Sequence, residues 1–130
     1  MNIGQASSAS GVTAKMIRYY ESIGLIQPAP RTDAGYRVYS DTDVHTLRFI
    51  KRSRDLGFSL AKIEKLIALW NDRSRASAEV KALAMTHVDE LRQKIAELED
   101  MARTLENLAK TCQGNDRPDC PILEGLARTD

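Results

Sequence analysis

Long hydrophobic runs are missing from this chain. No apolar stretch approaches the roughly 18 residues of a membrane-spanning helix, which excludes a transmembrane segment of that kind. The opening Met1-Asn2-Ile3-Gly4 carries neither a basic region nor a hydrophobic signal core, so a cytoplasmic location with no membrane partner is expected. Cysteine is scarce: only Cys112 and Cys120 occur, in a chain with no sign of secretion, which disfavours a structural disulfide. Histidine is equally scarce, with His45 and His87 both in stretches of helical character. No nucleophile is paired with a base and no paired acidic site stands out, so the chain is not expected to be an enzyme. Net charge is almost absent too, at +1, but that value conceals an asymmetry. Residues 1–75 hold 12 Lys and Arg against 7 Asp and Glu, a balance of +5, whereas residues 76–130 hold 7 against 11, or −4. A basic front half joined to an acidic rear half points to a polyanion meeting the front.

Proline and glycine are absent from residues 78–111, a stretch rich in Ala, Leu, Glu, Lys and Arg, the residues that tolerate helix best. Within it Ala84, Leu91, Leu98 and Leu105 recur every seven positions, and Val88, Ile95, Ala102 and Ala109 repeat the step four residues later. That is the a/d seam of a coiled coil. A straight helix of this length reaches about 50 Å, more than so small a domain covers by itself. The seam therefore predicts a homodimer built on this helix. The rival, a long core helix in a monomeric bundle, lacks a later helix long enough to pair with it.

In chain order, residues 3–9 are short and mostly small, consistent with a brief helix that Gly11 breaks and after which Thr13 caps the next. From Thr13 to Ile23 the pattern divides. Met16, Ile17, Tyr20 and Ile23 recur at helical spacing and are expected to face inward, while Lys15, Arg18 and Ser22 share another face with Tyr19 on its flank. Helix, glycine turn and a second helix with a basic outer face is the helix-turn-helix arrangement, in which Lys15 and Arg18 can reach guanine edges or phosphates; a merely solvated face is the rival. Gly24, Pro28 and Pro30 end that helix. Arg31 follows, then Gly35-Tyr36-Arg37-Val38-Tyr39, a β-prone run after a turn on Asp33 and Gly35. A two-stranded wing with Arg and Tyr tips suits phosphate contact, with structural packing of the tyrosines as its rival. Ser40 and Asp43 form a capping-box pattern ahead of a helix with Arg48, Lys51, Arg52 and Arg54 outermost. Gly57 closes it, Ser59 caps the next, and Leu60, Ile63, Leu66, Ile67 and Trp70 mark an amphipathic helix ending near Asn71. The expected organisation is a winged-helix domain over residues 1–70, a hinge over 71–77, a dimerisation helix over 78–111, and a cysteine loop with a short closing helix over 112–130.

This order resembles the MerR family of bacterial transcription regulators. The residues that carry the resemblance are Thr13-Ala14-Lys15-Met16-Ile17-Arg18-Tyr19-Tyr20-Glu21 with Gly24-Leu25, then Arg31 with Gly35-Tyr36-Arg37-Val38-Tyr39, and Leu56-Gly57-Phe58-Ser59-Leu60 with Ile63. It spans essentially all of residues 1–111. It implies a mainly α fold with an antiparallel dimer helix, a palindromic promoter operator in double-stranded DNA, and activation by twisting an overlong promoter on which RNA polymerase sits. The DNA-binding set it implies is Thr13, Lys15, Arg18, Tyr19, Tyr20, Arg31, Tyr36, Arg37 and Arg54.

Past the long helix, Gly114, Asn115, Asp116 and Pro118 are turn formers that can bring Cys112 and Cys120 together, and Pro121 suits the first turn of a helix through Leu126. The positive end of that helix would lower the thiol pKa values. Two soft anionic ligands from one loop suit a soft monovalent ion, Cu(I) above all. A regulatory disulfide, a zinc site short of its usual four ligands, and inert cysteines are the rivals. The loop resembles that of the copper-efflux (CueR-like) branch, which implies one Cu(I), Ag(I) or Au(I) per loop, held by the Cys112 and Cys120 thiolates. It further implies that Ser77 stands where divalent-metal relatives have a third cysteine, and that Lys81 offsets the charge of the bis-thiolate unit. Gln113 and Pro118 are departures from the branch, and no Cys- or His-rich tail is expected to add ligands. The function so implied is a metal-responsive activator of efflux genes. The alternative is a thiol-redox regulator working through a Cys112–Cys120 disulfide. A small-molecule sensor would need more than the ~20 residues that follow the long helix.

Overall fold

The computed structural model describes residues 1–112, 114, 115, 118 and 120–128; Gln113 and Asp116, named above, lie outside the described residues. It is mainly helical, as expected, and divides into two compact units, residues 1–80 and 81–130. The first holds α1 (Ile3–Ser10), α2 (Ala14–Ser22), α3 (Asp41–Asp55) and α4 (Leu60–Asn71), and contains the start of α5 (Ser77–Thr111). The remainder of α5 and a short α6 (Pro121–Leu126) make the second.

Capping side chains set the helix starts. The Gln5 amide donates to Asn2 Oδ1 at 2.8 Å and the Asn2 amide returns a bond to Gln5 Oε1 at 2.9 Å. Thr13 Oγ1 accepts from the Met16 amide at 3.2 Å and Ser59 Oγ from the Lys62 amide at 3.2 Å. Ser40 and Asp43 form the reciprocal box at 3.1 and 2.9 Å. Losing such a cap costs about 1 kcal/mol. α3 packs on both α1 and α4, and α1 packs on α2. The core is centred on Ile17, Leu47, Ile50 and Ile63, all fully buried, with Ala6, Val12, Tyr20, Ile26, Tyr39 and Val44 around them. Complete burial of such a side chain contributes about 1.5–3 kcal/mol as an upper bound.

Three expectations are corrected. On α2 only Ile17 and Tyr20 are buried, while Met16 and Ile23 stay exposed. The inward stripe of this short helix is narrower than its apolar spacing implies. Trp70 is also exposed, at the end of α4. Its ring lies 6.1 Å from His45 and 6.2 Å from Phe49, with the Arg75 guanidinium 5.9 Å from its centroid. Arg75 Nη1 also donates to Asp72 O at 3.0 Å, and Asp72 Oδ1 accepts from the Ser74 amide and hydroxyl, at 2.9 and 2.6 Å. Those two bonds, the hydroxyl first, hold the Asp72 carboxyl below its usual range.

The third correction is the wing. Among the described residues there is no strand, only one antiparallel bridge, Arg31 to Arg37. The turn itself is as expected: the Gly35 amide donates to Thr32 O at 2.8 Å, with φ of +88° at Gly35 that a side chain would strain. The Thr32 amide reaches Tyr36 O at 2.7 Å and the Val38 amide reaches Pro30 O at 2.8 Å. Pro30 has no N–H to return, so the ladder stops there.

In the second unit α5 leaves its seam uncovered. Leu91, Ile95, Leu98, Met101 and Leu105 are all exposed. No helix among the described residues is long and apolar enough to cross a membrane.

Candidate DNA interface and thiol site

The basic face begins on α2. Lys15 and Arg18 are exposed, as are Thr13 at the cap and Tyr19, whose ring meets Tyr20 at 6.0 Å. Tyr20 itself is only 5% exposed and belongs to the core cluster, so its expected place at the DNA surface is corrected: it supports the helix from behind. Arg31 Nη1 donates to Gly35 O at 2.8 Å, which fixes its guanidinium along the wing turn. Tyr36 is 73% exposed at the wing tip. Arg18, Arg31 and Arg37, with Asn2, Ile3, Gly35 and Tyr36, line one depression of about 190 Å³. Three arginines from two segments line it, a composition suited to the oxygens of a phosphate. Arg54 lies elsewhere. Its Nη1 donates to Phe58 O at 3.1 Å and braces the turn between α3 and α4.

Behind the depression sits a group that the sequence reading passed over. Glu21 of α2 has a side chain only 6% exposed; its Oε2 lies 3.1 Å from Arg37 Nε and its Oε1 accepts from the Tyr39 hydroxyl at 2.5 Å. Burial first, and the Glu21 hydrogen bond next, push the Tyr39 phenol up to about 12. Only the position of an acid one turn beyond Arg18 could have signalled it.

The thiol site lies in the second unit. Cys112 follows the last turn of α5, and Cys120 is the N-cap residue of α6, which starts on Pro121 as expected. Both are free and partly buried. The Cys120 side chain makes no cap hydrogen bond of regular geometry. Its thiol is nevertheless held below the ordinary range, by the Leu123 amide first, then by the Ile122 amide and the Cys112 thiol, against partial desolvation and the Glu124 charge. The Cys112 thiol is thus one of the groups that lower the Cys120 pKa. Among the described residues no group of three or more His, Cys, Asp and Glu side chains comes together. Lys81 lies at the other end of the helix that Cys112 follows, about 45 Å away along its axis, and Ser77 opens that helix.

α6 owes its seat to Gly125. A Cβ there would overlap Leu108 Cδ2 of α5. Gly125→Val is therefore expected to cost about 1–3 kcal/mol of local packing. Amide exchange across residues 121–126 should accelerate while the middle of α5 keeps its protection. Unchanged exchange in α6 would mean that Leu108 does not seat the helix.

Comparison with known proteins gives two family matches: residues 1–69 fit the model described as MerR HTH family regulatory protein, and residues 44–108 fit that described as MerR, DNA binding. A Rhizobium meliloti protein named heavy metal-dependent transcription regulator 2 is 63% identical over 98% of this chain and 86% of its own length. The HTH-type transcriptional regulator CueR of Escherichia coli O6:H1 is 40% identical over 98% of this chain and 94% of its own. Among solved structures, the transcription regulator PbrR691 from Ralstonia metallidurans in complex with lead(II) superposes with a TM-score of 0.85 at 31% identity, covering 98% of this chain and 99% of that one. Fold, basic face and these likenesses agree: the chain belongs to the MerR family of helix-turn-helix, DNA-binding transcription regulators.

Proposed function

We propose that this regulator responds to a heavy metal, specifically to Cu(I), Ag(I) or Au(I) held by Cys112 and Cys120, and then activates metal-efflux genes. It is a regulator and not an enzyme. The observation that carries the reading is the placement of two free, partly buried cysteines at the end of α5 and the head of α6, with the Cys120 thiol held below its ordinary range by the first amides of α6. Soft thiolates suit a soft monovalent ion, and when bound the ion supplies a charge and two sulfur bonds that tie the end of α5 to the start of α6. Zinc normally takes about four donors, which this set does not offer. The relatives named for heavy metals and for CueR support a metal effector.

The molecule acts as a homodimer joined through the exposed α5 seam, antiparallel, so that Ser77 and Lys81 of one copy approach the thiols of the other. There Lys81 offsets the single negative charge of a bis-thiolate unit, and the Ser77 hydroxyl adds little to a divalent site. The dimer reads a palindromic operator and reshapes it for RNA polymerase. Transcription in vitro from a promoter cloned upstream of an efflux gene, in excess thiol, tests the metal. Cu(I) and Ag(I) should induce and Zn(II) should not, with X-ray absorption showing two sulfur donors only. Equal induction by Zn(II), or four-coordinate metal with nitrogen donors, overturns the assignment. Ser77→Cys should broaden the response toward divalent ions. A disulfide switch on Cys112 and Cys120 would instead ignore Cu(I) under those conditions and respond to a thiol oxidant.

A further inference from the structure

Glu21 stands on the DNA-reading helix as an acid among arginines. A carboxylate so buried is tolerated only when paired, and both of its partners come from the far side of the wing. Arg37 Nε lies 3.1 Å from Oε2 and the Tyr39 hydroxyl donates to Oε1 at 2.5 Å. At its base the wing is anchored by the Tyr39 ring, which is buried in the core, but toward the tip its own ladder is short. A hairpin with a single bridge is marginal by itself, and this one has only Arg31 to Arg37. Beyond the turn, the backbone of Tyr39 is tied to Met1, whose amino group donates to Tyr39 O at 2.9 Å while the Tyr39 amide donates to Met1 O at 2.7 Å. Those backbone bonds do not reach α2, whereas the Glu21 side chain ties α2 to Arg37 and Tyr39.

We propose that Glu21 is a positioning residue for operator discrimination: it clamps the wing to α2 through Arg37 and Tyr39 and neutralises Arg37 at the same time. This rests on the DNA-binding reading of the basic face. Arg37 shares the depression with Arg18 and Arg31. Paired with Glu21, its guanidinium contributes directed N–H groups but little net charge, so the depression attracts phosphates with two charges rather than three. Attraction to any duplex falls, while the geometry that one site must match is kept. Discrimination is the difference between those two affinities, so the ion pair raises it from both sides. The phenol of Tyr39, pushed up to about 12, remains a donor at every physiological pH and keeps the clamp closed.

The test is Glu21→Gln, which keeps the side chain's size and an acceptor for Tyr39 but removes the charge. The probes are a duplex that the wild-type protein selects from a random-sequence pool, and a random duplex of equal length. Discrimination between them should fall at least tenfold. Arg37, released, should steepen the salt dependence of random-duplex binding by about one phosphate contact per protomer. Amide exchange at Thr32 and Val38 should accelerate about tenfold or more, with Leu47 and Ile50 unchanged. Tyr39→Phe removes only the hydrogen bond and should loosen the wing without altering the salt slope. A purely structural Glu21 would weaken both duplexes alike and leave that slope alone, which overturns the proposal. Should Glu21→Gln not fold, Arg37→Lys decides: it keeps the charge but not the forked geometry, and wild-type discrimination in it also overturns the proposal. A wild-type protein that selects no duplex overturns the DNA reading and this inference together. A wild type that selects one, beside a Glu21→Gln protein identical in slope and discrimination, overturns this inference alone.

Discussion

Leu98→Asp is expected to convert the protein from dimer to monomer. Leu91, Ile95, Leu98 and Leu105 leave α5 40%, 51%, 57% and 52% exposed, on one stripe of a helix of 35 residues. α6 meets α5 at Leu108, beyond the last of these residues. In the proposed dimer a second copy of α5 covers the stripe, since knobs spaced by heptads seat well in a helix of the same spacing. Burying each leucine contributes about 1.5–3 kcal/mol, and every seam residue counts twice in a symmetric pair. Leu98→Asp removes two such contributions and places two carboxylates where desolvation costs several kcal/mol per ion. A factor of ten in affinity is about 1.4 kcal/mol, so the expected loss is at least three to four powers of ten. Light scattering at micromolar concentration should report monomer, and operator binding should fall with it because a palindrome needs both halves. Glu99→Ala, off the stripe, should leave the dimer intact. A Leu98→Asp protein that stays a dimer at micromolar concentration would mean that α5 is covered in another way.

Helix limits were legible because their signals are local. Thr13, Ser40 with Asp43, Ser59 and Pro121 each act within a few residues of themselves, and α2, α3, α4 and α6 begin where those residues place them. The long helix was legible for the same reason, since periodicity is summed over many turns. What stayed hidden depends on residues distant in sequence. Met16 and Ile23 have the spacing of a core stripe, yet α2 is covered chiefly by α1 and only its middle is sealed. Trp70 looks like the last core residue of α4 until Arg75, from beyond the helix, takes its face. The wing reads as two strands by β-propensity, but ladder formation is a property of the pair, and Pro30 cannot donate. Glu21 was invisible as a functional group because its partners Arg37 and Tyr39 lie on another segment, beyond the reach of any helical periodicity. The two cysteines are legible in type and spacing as a candidate site, whose role belongs to the proposed function. Cys120 sits at the head of α6, as Pro121 foretells, and the amides of Leu123 and Ile122 lower its thiol pKa as a helix N-terminus implies.

Cys112→Ser and Cys120→Ser are each expected to leave operator binding within about twofold of wild type while abolishing induction by Cu(I). The first half follows from placement. Arg18, Arg31, Arg37 and Glu21 belong to the compact unit of residues 1–80, whereas both cysteines belong to residues 81–130. Serine nearly matches cysteine in volume, so α6 should still rest on Leu108 through Gly125. The second half follows from donor chemistry. A serine hydroxyl is a hard donor and does not ionise near neutral pH, whereas Cu(I) is satisfied by soft thiolates. With only two sulfurs in the set, either substitution removes half of it. Loss of even an outer-shell partner costs about 10–100-fold in metal affinity, and loss of a ligand costs more. Operator titration by fluorescence anisotropy and in vitro transcription with added Cu(I), run on the same preparations, separate the two effects. Induction by either variant above about a tenth of the wild-type level would show that the pair is not the sensing element. Loss of operator binding in both variants would instead show that the thiols hold the dimer together and do not switch it.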